Sequence, residues 1–382
     1  MSYSTELFES ETIAQIAKQF EKLLVTIAAQ PETRLSNLRA LLATVASDQL
    51  EESSRRKLKS VKRKTVAGGQ LVRESGTFPL LLEPVVDGLR LVDWATTNRE
   101  QIEQKLSRYG AILFRGFDVK TVAEFEQFMK SLAGDLLDYS YRSTPRTQVS
   151  GRIYTSTEYP AHQTIPLHNE MSYTRRWPMM LGFFCVEAAE HGGETPIADS
   201  RKVFERIDSA IRDRFSRCGV RYVRHYGDAL DLTWQNVFQT EDRAEAEEFC
   251  REAGIEFEWR GDDRLCTSEV CQATAAHPRT GEMVWFNQAH LFHVSSLESE
   301  IRDLLLSSSG GEPPRNAFYG DGTPIDDADL EGIRAAYEKE IVVFRWQKGD
   351  VLLLDNMLAA HGRKPYRGPR QIVVGMGRPH AV

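Results

Sequence analysis

The chain has 382 residues, long for one compact domain and short for three. Hydrophobic residues make up 41% and charged residues 27%, ordinary proportions for a globular protein with a sizeable core. Its 48 basic and 55 acidic residues leave a formal charge of −7, which excludes nucleic acid as a bulk partner, because phosphate binding needs a positive field.

The opening residues MSYSTELFESETIAQ lack a basic stretch followed by an apolar run, so no signal peptide is expected. Next comes SETIAQIAKQFEKLLVTIAAQ, with Ile13, Ile16, Ala17, Phe20, Leu23, Leu24 and Ile27 on the i, i+3, i+4, i+7 stripe of an amphipathic helix and Ser10 placed to cap it. PETRLSNLRALLATVASDQLEES supplies a turn and a second helical stretch, which makes residues 1–54 a helical extension. RRKLKSVKRK at 55–64 begins a basic linker over 55–74, and charge runs of this kind are usually solvated.

From about residue 75 to 382 the texture is that of a separate domain. YGAILFRGF (109–117) reads as a buried strand, and VAEFEQFMKSLAG (122–134) as a helix. Beyond residue 150, MMLGFFCVEAA, GVRYVRHY, GEMVWFN, IVVFRWQKGDVLLLDN and RQIVVGM read as short strands separated by turns, with helices inserted at 201–215 and 241–253. Many short strands with few helices predict a mainly β sandwich or barrel with helical decorations. Five cysteines, Cys185, Cys218, Cys250, Cys266 and Cys271, form no C-x-x-C pair. Neither a disulfide framework nor a structural zinc site is expected, and a reducing cytoplasm is the natural location. No stretch approaches the ~18 apolar residues of a membrane span.

IPLHNEMSY (165–173) sets His168 and Glu170 two positions apart. On an extended segment such residues point to the same side and can converge. VLLLDNMLAAHGRKPYRGPRQIVVGM (351–376) offers a third ligand, His361, beyond an apolar strand and an Asp-Asn turn. Two histidines and a carboxylate on one face of a metal make the facial triad of non-haem iron(II) oxygenases, with open positions for a co-substrate and dioxygen. Thr195 stands in HGGETPIADSR, where glycines permit a tight turn. Arg370 precedes QIVVGM, and a guanidinium can grip a carboxylate through two parallel hydrogen bonds. Together, Thr195 and Arg370 would hold the distal carboxylate of a dicarboxylate chelating the metal, which 2-oxoglutarate fits.

The series HNEMSY, GGETPIADSR, WFNQAHLFH, YGDGTPI and AHGRKPYRGPRQI resembles the taurine dioxygenase and clavaminate synthase-like superfamily over residues 75–380. Within it, the chain is similar to the branch that hydroxylates amino acids in nonribosomal peptide pathways. The resemblance implies a double-stranded β-helix (jelly-roll) core, iron(II), 2-oxoglutarate and O2. It matches His168, Glu170 and His361 to the metal ligands, and Thr195 and Arg370 to the 2-oxoglutarate anchors. Arg363 and Arg378 are alternatives to Arg370, because the step from His361 is shorter than in several relatives. Glu170 stands where many members have Asp, a mark of the clavaminate-like branch. Halogenation is disfavoured, since halogenases of the superfamily replace this carboxylate with a small residue. Residues up to about 45 resemble the end of a nonribosomal peptide synthetase condensation domain: a remnant or a docking element, as against an ordinary helical extension.

The implied reaction couples decarboxylation of 2-oxoglutarate to hydroxylation of an unactivated C–H bond, with desaturation or epoxidation as variants. The expected substrate is an amino acid, aspartate at its β-carbon being preferred, held as a thioester on a carrier protein. The basic run could dock that carrier. A free amino acid or small carboxylic acid is the alternative. Arg146, Asn169, Ser172 and His293 are candidate substrate contacts, with His290 a possible pocket residue and Trp285 and Phe286 core. Two readings of other classes remain: a zinc hydrolase, for which the H-E-x-x-H helix is missing, and a non-catalytic synthetase-associated module.

Overall fold

The computed structural model describes residues 71–138, 141, 146–227, 232–261, 264–308 and 312–382. The predicted helical extension over 1–54 and the basic run at 55–64 lie outside the described residues. An eight-stranded sheet forms the framework. At its centre the long strand Arg176–Glu187 pairs antiparallel with Val351–Asp355 on one side and with Gln371–Ala381 on the other. Ala111–Phe114 continues beyond Val351–Asp355, followed by Leu80–Pro84 in the sheet's parallel pairing.

The central strands read as apolar runs because both faces of the sheet are covered. Every residue of Ala111–Phe114 and of Val351–Asp355 is buried. Alternation along each strand divides them: Val351 and Leu353 join Phe125, Phe128 and Met129 of the helix Val122–Ala133, while Leu352 and Leu354 face the other way. That helix begins as expected, in a capping box where Thr121 Oγ1 accepts the Glu124 N–H and the Glu124 carboxylate accepts the Thr121 N–H. Gly182 lets it approach the sheet, since a Cβ there would lie 2.2 Å from Met129 Sδ.

On the opposite face, Leu181, Phe183, Leu352, Leu354 and Val374 share a core with Ile197 and Ala359. Those two belong to a three-stranded sheet in which Ala359–Arg363 lies between Ile165–His168 and Ile197–Asp199. Between Asp199 and Val351 the chain makes a further four-stranded sheet, ordered Glu256–Arg260, Arg264–Cys271, Val220–Tyr226 and Arg315–Tyr319. Trp285 and Phe286, read as core, are fully buried. The mainly β architecture with helical decorations is therefore the one observed.

Two local readings change. The helix expected over 201–215 is two helices, Ser200–Arg206 and Ser209–Cys218, because Ile207 is extended and the Asp208 carboxylate accepts the Ala210 N–H, starting a new helix. In IVVFRWQKGDVLLLDN only Val351–Asp355 is a strand. The residues before it turn instead, with the Asp350 carboxylate accepting the Gln347 N–H and pairing with Arg115.

Candidate metal centre

The three-stranded sheet brings the two histidines together. His361, on the middle strand, is the direct cross-strand partner of His168. Opposed residues on antiparallel strands carry their Cβ atoms about 5 Å apart, and here the ring centroids are 4.5 Å apart. Glu170 arrives differently from the expectation. The strand ends at His168, and Glu170 begins a turn in which Met171 takes φ +56°. Chain reversal, rather than strand alternation, directs its carboxylate. Glu170 Oε2 lies 3.8 Å from His361 Nε2, and one ligand atom from each of the three residues falls within 4.8 Å of the others.

The donor set fits a divalent metal. His168 Nδ1 lies 2.8 Å from the Pro166 carbonyl. That oxygen can only accept, so Nδ1 carries the proton and Nε2 keeps its lone pair. Burial pushes both imidazoles below their usual pKa, His361 further, helped by its neighbours His168 and Arg146. Neutral imidazoles are what a metal requires. His361 Nδ1 is buried without a hydrogen-bond partner. Arg146 donates to Glu170 Oε2 at 2.6 Å, and both side chains are 3% exposed.

Beside this group is a cavity of about 390 Å3, its open mouth included, lined by His168, His361, Thr195, Arg146, Arg363 and Arg370. Trp346 donates its indole N–H to Thr195 Oγ1 at 3.0 Å. Indole can only donate, so the Thr195 O–H is left to donate elsewhere. The glycines before Thr195 make the tight turn expected of them: Gly192 and Gly193 have φ +69° and +72°. A Cβ on Gly193 would meet Arg370 Cδ and Nε at 3.0 Å, and the Gly193 carbonyl accepts from Arg370 Nε at 2.9 Å. Arg370 makes no ion pair among the described residues, and burial, then the nearby Arg363 guanidinium, brings it down to about 10. A half-buried cation on a cavity wall, without a carboxylate, is matched to an anionic ligand.

The three arginines are thus distinguished. Arg363 also lines the cavity, but it donates to the carbonyls of Tyr159, Pro160 and Gln163. Arg378 is committed to Glu103 and the Leu132 carbonyl, and it is not among the cavity's lining residues.

Other predicted contacts serve the scaffold. Asn169 Nδ2 donates to Ser200 Oγ and the Asn356 carbonyl, and Ser172 Oγ donates to the Asn169 carbonyl. His293 Nδ1 accepts the Ser295 N–H at the start of a short 3-10 turn. His290 stacks on Tyr337 and hydrogen-bonds the Leu167 carbonyl through Nε2. None of these four lines the cavity. Sequence reading missed Trp346 and Asn356, whose partners are distant in the chain. The Asp-Asn turn before His361 was the one available signal.

A second cavity adjoins the turn after Glu170, with Met171, Tyr141, Phe249 and Glu269 in its walls. Glu269 is 5% exposed, and burial lifts its carboxyl to about 7. A carboxyl raised on folding adds stability below its unfolded pKa, and that stability is lost as pH rises through the folded one. Glu269→Gln should therefore gain on the parent by about 2–3 kcal/mol between about pH 5 and pH 8. Melting curves of both proteins at the two pH values check this; a constant difference would refute it.

Residues 77–376 match the model of the taurine catabolism dioxygenase TauD, TfdA family. The chain is 44% identical over 276 residues to the dapdiamide synthesis protein DdaC of Enterobacter agglomerans, spanning 72% of this chain and 84% of that protein. It is 31% identical over 326 residues to a clavaminate synthase-like protein of Arabidopsis thaliana, spanning 79% and 94%. Among solved structures, PvcB of Pseudomonas aeruginosa covers 82% of this chain and 93% of its own, at 15% identity and a TM-score of 0.49. No helix among the described residues is long and apolar enough to cross a membrane. With a family match over most of its length and a two-histidine, one-carboxylate cluster beside a cationic cavity, the chain belongs to the TauD/TfdA family and is an iron(II)- and 2-oxoglutarate-dependent dioxygenase.

Proposed function

We propose that His168, Glu170 and His361 hold the iron, that Thr195 and Arg370 anchor 2-oxoglutarate, and that the enzyme hydroxylates an amino acid, aspartate at its β-carbon being the preferred candidate, while it is tethered to a carrier protein of nonribosomal peptide biosynthesis. The observation behind the site assignment is that the two histidines, Thr195 and the unpaired Arg370 line one cavity, with Glu170 beside His361. When bound, iron would activate O2, one oxygen atom going into succinate as 2-oxoglutarate loses CO2 and the other into the substrate. The chain's own residues bind and orient. Pro166 holds His168 in the tautomer that offers Nε2, Trp346 turns the Thr195 hydroxyl outward, and the Gly192–Gly193 turn seats Arg370.

The substrate class is supported by 44% identity to DdaC, a dapdiamide synthesis protein. Arg146, the expected substrate contact, does stand on the cavity wall, but its guanidinium is paired with Glu170. Five free cysteines are in keeping with a reducing cytoplasm. In this reading the main domain, 75–382, carries the chemistry, the basic run at 55–64 in the 55–74 linker docks the carrier, and the 1–54 extension is a condensation-domain remnant or a docking element. A zinc hydrolase or a non-catalytic module would leave Thr195 and Arg370 beside the triad unexplained.

The test is a screen of free and carrier-loaded amino acids with iron(II), 2-oxoglutarate and O2, read by intact mass and by succinate formation. The expected result is gain of an oxygen atom on a carrier-bound aspartyl group. Loss of a hydrogen pair would mean desaturation instead. Equal kcat/KM for the free amino acid would remove the carrier from the reading, and no oxidation of any amino acid would remove the substrate class.

A further inference from the structure

A metal centre is only as well defined as the backbone that carries its ligands, and Glu170 lies beyond the end of its strand, in a turn. No sheet ladder fixes its peptide groups. One buried side chain does so. Asn356 Oδ1 accepts the Glu170 N–H at 2.8 Å, and Asn356 Nδ2 donates to the Glu170 carbonyl at 2.9 Å and to the Pro178 carbonyl at 2.8 Å. The amide orientation follows from its partners, since a peptide N–H only donates and a carbonyl only accepts. Both amide hydrogens and the amide oxygen are thereby used, and Asn356 is fully buried.

Asn356 is itself held on every side. Its N–H donates to the Met179 carbonyl at 2.9 Å, and its carbonyl accepts from Asn169 Nδ2 at 2.6 Å. The preceding Asp355 closes the turn by accepting the Met357 and Leu358 N–H groups, and its other oxygen lies 3.0 Å from His277 Nε2. This turn leads directly into the strand of His361. The same residue thus joins the element carrying His361 to the turn carrying Glu170, across 186 residues of chain.

We infer that Asn356 is the positioning residue of the metal centre: its amide mimics a neighbouring strand for Glu170 and sets the distance between the carboxylate and His361. The inference rests on the reading of His168, Glu170 and His361 as metal ligands. Ligand geometry has to be held within about 0.5 Å to be effective, and loss of a group that orients a ligand costs about 10–100-fold in metal affinity.

The experiment is Mn(II) titration of the full chain without 2-oxoglutarate, the free ion being counted by its paramagnetic resonance signal, with melting of the metal-free protein recorded in parallel. The parent, His361→Ala, Asn356→Ala and Gln272→Leu are compared. Gln272 is the control because its amide clamps the same turn further along, at the Ser172 and Thr174 carbonyls, without touching Glu170. Asn356→Ala should bind Mn(II) about 10–100-fold more weakly, and Gln272→Leu within about twofold of the parent. Equal affinity of Asn356→Ala and the parent would overturn the inference, whatever the change in melting. So would equal weakening by Gln272→Leu, which would indicate general loosening of the turn. If Asn356→Ala does not fold, the nearly isosteric Asn356→Asp, which sets an oxygen against the Glu170 and Pro178 carbonyls, is expected to show the same loss, and unchanged affinity in it would count against the role. Failure of the parent to bind, or binding undiminished in His361→Ala, would strike the ligand assignment instead.

Discussion

Alanine in place of His361 should leave the protein folded while abolishing both turnover and the visible charge-transfer band of the anaerobic iron(II)–2-oxoglutarate complex. The imidazole is neutral and its Nδ1 has no hydrogen-bond partner, so its removal strands no buried charge and breaks no hydrogen bond of that atom. Glu170 is a poorer target. Its loss would leave the Arg146 guanidinium, 3% exposed, without its carboxylate, and breaking a buried pair typically costs about 3–5 kcal/mol. Metal affinity of His361→Ala should fall by more than the ~10–100-fold typical of residues that merely orient a ligand. A band of undiminished intensity in the variant would exclude His361 from the iron.

Arg370→Met should raise the KM for 2-oxoglutarate by about 30- to 4000-fold, the equivalent of the 2–5 kcal/mol lost when one partner of a buried charge pair is removed. Melting of the metal-free protein should stay unchanged or rise, because the variant deletes a desolvated cation that has no ion pair among the described residues. Arg363→Met should behave in the opposite way. Its guanidinium ties three carbonyls of the 159–163 loop, so stability should drop. Steady-state kinetics with 2-oxoglutarate as the varied substrate, alongside melting of each variant, separates the two arginines. A KM within about threefold of the parent in Arg370→Met would reassign the anchor.

The chemistry of the site was legible in the sequence because metal and carboxylate binding demand particular residue types. HNE, the glycine-flanked Thr195, and His361 followed by several arginines supply, in order, the residue types of the proposed site. The apolar runs AILF and VLLLD likewise became strands buried on both faces, and VAEFEQFMKSLA a helix. Periodicity and turn chemistry are local properties, carried by neighbouring residues.

Other features depended on pairings between distant segments. Sequence cannot state that His361 lies opposite His168, since a register is chosen by the packing of whole strands. Nor could it separate Arg370 from Arg363 and Arg378, all cations near the carboxyl terminus, because the difference lies in what each meets on folding: the Gly193 carbonyl and an open cavity, loop carbonyls, or Glu103. Asn169 and Ser172 looked like substrate contacts by adjacency to the ligands, yet both side chains turn inward to tie the backbone. The sequence by itself determined which chemical groups are available and the local elements that carry them. Tertiary structure alone decided which groups converge, which stay unpaired for a ligand, and that Asn356 holds Glu170, because a hydrogen bond or a desolvated charge exists only once its partners have been brought within a few ångströms.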